Sequence, residues 1–232
     1  MEQWIEFAKG PLFTLTFLIM VLGLLRLIIP QVYLLFIRKR DVLRDVKWSK
    51  IIKDTLSWII PIKHFISGTR LFSLASYIMH IGVIIVPICI IDHIVLWEKF
   101  FNINLPSIGQ GLADYLTLIT IACLLILLGC RTFKKHQRAM SGFMDYFLLI
   151  MVILPFASGY LASHPNYNPF PWDVMMLTHL LSAELLFVLI PFSKLAHIIL
   201  FNFDRTSGVH WQLRPGAGDK IAEALFGKGV KI

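Results

Sequence analysis

The sequence predicts an all-α, polytopic membrane protein built as a five-helix bundle, and three observations carry that prediction. Of its 232 residues, 57% are hydrophobic and the mean hydropathy is +0.73, too apolar for a soluble domain of this length. A hydrocarbon core about 30 Å thick takes roughly 20 apolar residues per helix. Five such runs occur, near 11–37, 71–97, 110–130, 140–162 and 172–202. The third observation is where the basic residues fall. Arg38, Lys39, Arg40, Arg44, Lys47, Lys50, Lys53, Lys63 and Arg70 lie between the first two runs. Arg131, Lys134, Lys135 and Arg138 lie between the third and fourth, and Arg205, Arg214, Lys220, Lys228 and Lys231 follow the fifth. The other side has only Lys9 and Lys99, so the bias is eighteen against two. Positive charge is retained inside, which predicts an outer N-terminus, a cytoplasmic C-terminus and a place in the inner, cytoplasmic membrane. The net charge of +8 therefore anchors topology and implies no nucleic-acid partner.

The first run is expected to remain as a helix rather than be cleaved. It is longer than a signal peptide's apolar region, and Glu2 and Glu6 stand where a basic cluster belongs. It carries Arg26 near mid-depth and Pro30, which should kink it. Beyond it, Trp48, Ile51, Ile52, Thr55 and Ile59 recur at helical spacing, with Lys47, Lys50, Lys53 and Asp54 on other faces. This predicts an amphipathic interfacial helix at about 46–60, suited to anionic lipid or to docking a cytoplasmic subunit. The second run starts near Arg70 and ends at Trp97, an interfacial indole. A loop over 98–109 and a basic turn over 131–138 lead to the third and fourth runs. A Pro- and Asn-rich loop over 163–171 precedes the fifth. Residues 1–202 form the membrane domain, and 203–232 a cytoplasmic tail.

Four histidines lie inside these runs: His80 and His93 in the second, His179 and His197 in the fifth. An imidazole in hydrocarbon costs free energy unless something binds it, so such residues mark functional sites. Two helices with two histidines each suit two stacked hemes, each iron held from both sides. The runs are antiparallel, so His80 shares a level with His197 and His93 with His179. As one ideal helix, the fifth run places His179 and His197 on one face, five turns and roughly 27 Å apart. His80 and His93 fit less well, roughly 20 Å apart and about 140° around the axis. Pro87 between them offers a bend. Ser76, Ser182, Ala183 and Ser193, one turn from a histidine, leave room for a flat macrocycle or for close helix packing. A competing reading is that the histidines only hydrogen-bond between helices. Cys89, Cys123 and Cys130 lie in apolar runs, and no C-x-x-C-H occurs for covalent heme attachment.

The run Pro191-Phe192-Ser193-Lys194-Leu195-Ala196-His197, with His179 eighteen residues before its end, resembles the last membrane helix of the respiratory nitrate reductase gamma-subunit family. Met79-His80-Ile81-Gly82 fits the same family. The second histidine of that helix comes sooner in nitrate reductase, so His93 aligns with a gap. The short chain and the amphipathic insert look more like the branch serving sulfite-reductase-associated and heterodisulfide-reductase-like transmembrane redox complexes of sulfate reducers. The resemblance implies a diheme cytochrome b that moves electrons between membrane quinol, such as menaquinol, and a cytoplasmic iron–sulfur subunit. It implies His80 and His197 as ligands of the inner heme b, and His93 and His179 as ligands of the outer one. Quinol would then meet the protein near Asp92, Lys99 and His164, where proton acceptors are needed. Arg26, Arg70 and Lys194 are candidate partners for heme propionates, with Glu184 an alternative partner for Arg26. Asp173 reads as an acid at a helix start, and His64, His136 and His210 as surface or docking residues. Bis-histidine iron has no open position, which favours pure electron transfer, so no catalytic residue is expected. Two alternatives stand beside this reading. One is a relay to a periplasmic multiheme cytochrome c with no quinone site of its own. The other is a transporter using the histidines to pass protons.

Overall fold

The computed structural model of the chain describes residues 1–33 and 70–200, with Ser49, Ile52, Lys53 and Leu56 between them. Those four positions are helical and exposed; the rest of the expected interfacial helix and of the tail lies outside the described residues. Among the described residues the architecture is helical, with no strand and one isolated bridge, Ile90 to Ile108. The order is α1 (Glu2–Phe7), a π-helical turn (Ala8–Leu12), α2 (Phe13–Tyr33), α3 (Arg70–Cys89) and α4 (Ile91–Phe101). Then come α5 (Gln110–Phe133), α6 (Lys135–Ala139), α7 (Phe143–Ser163), α8 (Trp172–Phe192) and a 3₁₀ turn (Lys194–Ala196).

Five helical stretches are long and apolar enough to cross a membrane: Glu2–Tyr33, Arg70–Cys89, Gln110–Phe133, Phe143–Ser163 and Trp172–Phe192. Their apolar residues do not all turn inward. On α2, Leu15, Leu18, Leu22, Leu25 and Ile29 form an exposed stripe at helical spacing. A helix apolar on its outward face needs apolar surroundings, which is what a bilayer supplies. The first stretch begins nine residues before the expected run near 11. A π-turn containing Pro11 carries it on, the wider turn accommodating a residue with no N–H to donate.

The chain divides into two compact units, residues 1–16 with 63–186, and residues 17–62 with 187–232. In the first, Val86 of α3, Leu124 of α5 and Val152 and Phe156 of α7 form one buried cluster, with Leu186 of α8 against it. Ala75, Cys123 and Leu127 form a second cluster between α3 and α5. The two backbones approach closely because Gly82 has no side chain. A Cβ there would collide with Thr120 Oγ1 and lie 3.4 Å from Leu116 O. Thr120 itself turns its hydroxyl back, donating to Leu116 O at 2.6 Å. Small residues at such crossings let transmembrane helices gain van der Waals contact where no hydrophobic force separates helix from lipid. At the basic turn, Arg131 donates to Ser141 Oγ (3.0 Å), lies 4.0 Å from Asp145 and sits 5.7 Å above the Phe72 ring. Tyr146 donates to Arg131 O at 2.9 Å, tying α7 to the end of α5.

In the second unit, α2 and the end of α8 cross at Gly23, where a Cβ would lie 2.5 Å from Pro191 Cβ. Phe17 and Phe187 meet edge to face at 6.0 Å, and the Arg26 guanidinium lies 5.7 Å from the Phe192 ring centre.

Two expected continuous helices are interrupted. The second run breaks at Ile90, which is extended (φ −71°, ψ 139°) and follows the end of α3 three residues after Pro87. The fifth run ends at Phe192. Ser193 is extended (φ −133°, ψ −174°), and its Oγ accepts from Leu195 N to cap a 3₁₀ turn. Five uninterrupted turns therefore do not join His179 to His197, and the shared face expected from ideal geometry is corrected by this break. Pro191, lacking an amide proton, weakens the helix two residues before the interruption.

Replacing Gly82 with Val should lower stability by about 1–3 kcal/mol by forcing α3 from α5. A denaturation midpoint measured in detergent micelles, against Gly129→Val on the open side of α5, checks this.

Candidate functional site

His93 of α4 and His179 of α8 come together in the first unit. Their ring centres are 5.9 Å apart and their planes differ by 17°. Each ring is held by its Nδ1. That of His93 donates to Pro87 O at 2.9 Å, and that of His179 to Pro155 O at 2.8 Å. A carbonyl only accepts, so each Nδ1 carries the proton and each Nε2 is left with its lone pair. This is the usual preparation of a metal-ligating imidazole, a backbone acceptor behind it fixing tautomer and ring orientation. A single metal ion bound at about 2 Å by one nitrogen of each ring puts the ring centres about 6 Å apart. The observed separation fits that span.

The local folding that produces this arrangement is specific. An α-helix continued past Cys89 would close the Ile91 amide on Pro87 O. Extended Ile90 turns that amide away and restarts the helix, with His93 N and Ile94 N both bonded to Ile90 O (3.0 and 3.1 Å). Pro87 O is thereby released to hold His93. The bridge at Ile108, whose amide reaches Cys89 O at 3.0 Å, steadies the break. The misfit of about 140° between His80 and His93 on one ideal helix thus concerns a helix that does not exist. On the other side, Gly159 of α7 makes room for His179. A Cβ at Gly159 would lie 2.8 Å from His179 Nδ1 and 2.9 Å from its Cε1.

His80 and His197 are exposed, and each Nδ1 is likewise held by a carbonyl: Ser76 O at 2.7 Å and Lys194 O at 2.7 Å. His80 belongs to the first unit and His197 to the second. Arg70 and Lys194 open α3 and the 3₁₀ turn respectively, both exposed. Arg26 is exposed beside Phe192 in the second unit, whereas Glu184 of the first is 4% exposed. Neither oxygen of Glu184 meets a hydrogen-bond partner among the described residues.

Asp92 and Lys99 are exposed on α4, in its first and last turns; Lys99 Nζ lies 5.6 Å from the Phe100 ring. His164 caps the C-terminus of α7 and is fully engaged. Its Nδ1 donates to Tyr160 O (2.8 Å), its ring stacks on Tyr160 (4.2 Å, 20°), and its Nε2 lies 3.4 Å from Asp114 Oδ2. Gln110 Nε2 donates to the other oxygen of Asp114 at 3.0 Å. Sequence reasoning missed Asp114 and Gly159. The signal for Asp114 was a lone acid in an apolar run, four residues after Gln110; for Gly159 there was none, since its role is set by a residue on another helix. No group of three or more His, Cys, Asp or Glu among the described residues could hold a metal ion. A metal at His93 and His179 would therefore draw its remaining ligands from elsewhere than these side chains.

The fold and this site describe a helical protein with five stretches able to cross a membrane and an imidazole pair within its first unit. Over 171 residues it is 29% identical to a protein of Nitratidesulfovibrio vulgaris (strain Hildenborough), a stretch covering 73% of this chain and 74% of that one. No family model and no solved structure matches the chain.

Gly159→Val should cost about 1–3 kcal/mol by driving the His179 ring off Pro155 O. In a His179→Ala background the same change should cost markedly less, and a double-mutant cycle of denaturation midpoints checks the coupling.

Proposed function

We propose that this protein is a diheme cytochrome b of the inner membrane, resembling the nitrate reductase gamma-subunit family and carrying electrons between membrane quinol and a cytoplasmic iron–sulfur subunit. The observation that carries the proposal is the His93–His179 pair: 5.9 Å between ring centres, near-parallel planes, both Nδ1 atoms committed to carbonyls. Two imidazoles at that spacing, with no third side-chain ligand grouped with them among the described residues, would suit a planar macrocyclic ligand better than a bare ion. In this reading His93 and His179 hold the outer heme, and His80 and His197 the inner one. A bis-imidazole heme supplies one-electron transfer without an open position for oxygen or substrate.

The chain's own residues set the conditions for that chemistry. Pro87 O and Pro155 O keep both Nδ1 protons in place and fix the ring angles. Apolar walls from Val86, Phe156 and Leu186 keep water from the same unit's interior. With the N-terminus outside and the C-terminus in the cytoplasm, as the basic residues direct, Asp92, Lys99 and His164 lie at the outer end. They are the polar groups available to a quinol there. Arg26, Arg70 and Lys194 are the cations available to propionates.

Purified protein should carry two b hemes per chain, counted by the pyridine hemochrome method. His93→Ala and His179→Ala should each remove the same one of the two, and His80→Ala and His197→Ala the other. Full heme content in His179→Ala, or absence of heme from the folded wild type, overturns the proposal.

A further inference from the structure

Among the described residues, Glu184 is the buried carboxyl that the proposed heme chemistry does not use. It is 4% exposed, and neither of its oxygens has a hydrogen-bond partner among those residues. It lies inside α8, one of the stretches apolar enough to cross a membrane. An ionisable group is kept in such surroundings only where something answers its charge. Other buried polar side chains show the contrast. Thr16, Thr120, Ser158 and Ser182 each donate a hydroxyl proton to a carbonyl about one turn back. An ionised carboxyl can only accept, and the amides of a helix interior are already taken.

The neighbouring helices hold no counter-charge for it. Leu186, two residues further on, packs against Val86, Leu124, Val152 and Phe156, which marks the level at which α8 meets α3, α5 and α7. At that level α3 over 82–86 and α7 over 150–156 carry no titratable side chain, and α5 has only Cys123, buried between α3 and α5. On α4, His93 is committed to Pro87 O, while Asp92 and Lys99 are exposed. On α2 of the other unit the charged side chain is Arg26, set against the Phe192 ring. His179, by contrast, precedes Glu184 by five residues on an unbroken helix. That places it about 7.5 Å away along the axis and about 140° around it, roughly 9 Å between Cα atoms. Charges so close among apolar side chains are little screened.

We infer that Glu184 is the charge-compensating carboxyl of the His93–His179 site, ionised while the iron held there is ferric and protonated when it is ferrous. The inference rests on the proposed diheme function. Ferric iron in a dianionic macrocycle leaves one positive charge, which answers the carboxylate; ferrous iron leaves none. As one electron reaches the iron, Glu184 takes one proton from solvent, an O–H bond forming at a carboxylate oxygen. As the electron leaves, that bond breaks and the proton returns to solvent. The net charge of the interior is then the same in both states, so no uncompensated charge is left among apolar helices.

The test is a redox titration of the full-length protein with its hemes, followed at the heme that His179→Ala removes. In the wild type its midpoint potential should fall as pH rises, because reduction takes up a proton. The steepest slope should approach about 59 mV per pH unit, the one-electron value of a tenfold change. Glu184→Gln keeps the shape without the charge; it should retain both hemes and show a midpoint that no longer moves over the same pH range. Glu184→Asp should restore a slope. A second readout needs no variant. In a reduced-minus-oxidised infrared spectrum of the wild type, reduction should add the C=O band of a protonated carboxyl, and ¹³C-labelling of the glutamate side chains should shift that band. An equal slope in wild type and Glu184→Gln, a wild-type midpoint independent of pH, or no glutamate band on reduction overturns the inference and leaves the diheme reading standing. Folded wild type that holds no heme overturns that reading and the inference together.

Discussion

An imidazole has two nitrogens, and in apolar surroundings both need a partner; the structure around His93 and His179 is organised by that requirement. Each ring gives its Nδ1 proton to a backbone carbonyl, Pro87 O or Pro155 O. Regular helices have almost no carbonyls to spare, because each is already closed by the amide four residues on. One is freed by breaking the helix at Ile90; the other is reached across a helix interface, as a second bond to an oxygen with two lone pairs. The remaining nitrogens are then aimed by elements that cannot easily turn. Without the break, His93 would keep the direction its place on one straight helix dictates.

The same economy of backbone runs through the packing. Gly82 brings α3 against Thr120, Gly23 brings α2 against Pro191 in the other unit, and Gly159 admits the His179 ring. Lipid tails are as apolar as leucine, so helices in a bilayer gain little by exchanging one for the other. What holds them is close contact and a few cross-helix polar bonds, and each such glycine creates one of these. The exposed leucine stripe of α2 shows the converse, large side chains turned toward whatever surrounds the protein.

In the proposed function, charge separation is built into which polar groups accompany which histidines. Of the polar groups proposed for the quinol end, Asp92 and Lys99 lie on α4, and His164 closes α7 beside Asp114. Arg70 and the Arg131 network lie at the far ends of α3 and α5, beside the basic turn. An electron moving between those ends leaves its protons behind, and each charge crossing the membrane is worth about 2.3 kcal/mol per 100 mV.

The sequence by itself determined the helical class, the number of apolar stretches, the basic loops and the presence of four histidines in apolar runs. These are properties of composition and of near neighbours along the chain, where hydropathy over twenty residues already decides what a segment can be. Helix ends were less legible: Pro87 and Pro191 mark weakened helices, but the breaks fall at Ile90 and Ser193, where a later residue supplies the stabilising bond. Only the tertiary structure brought His93 to 5.9 Å from His179, set Gly159 beneath a ring from another helix, and joined Asp114 to His164 fifty residues away. Such contacts depend on how two helices cross and rotate. That is fixed by packing across their interface, and no periodicity within either helix encodes it.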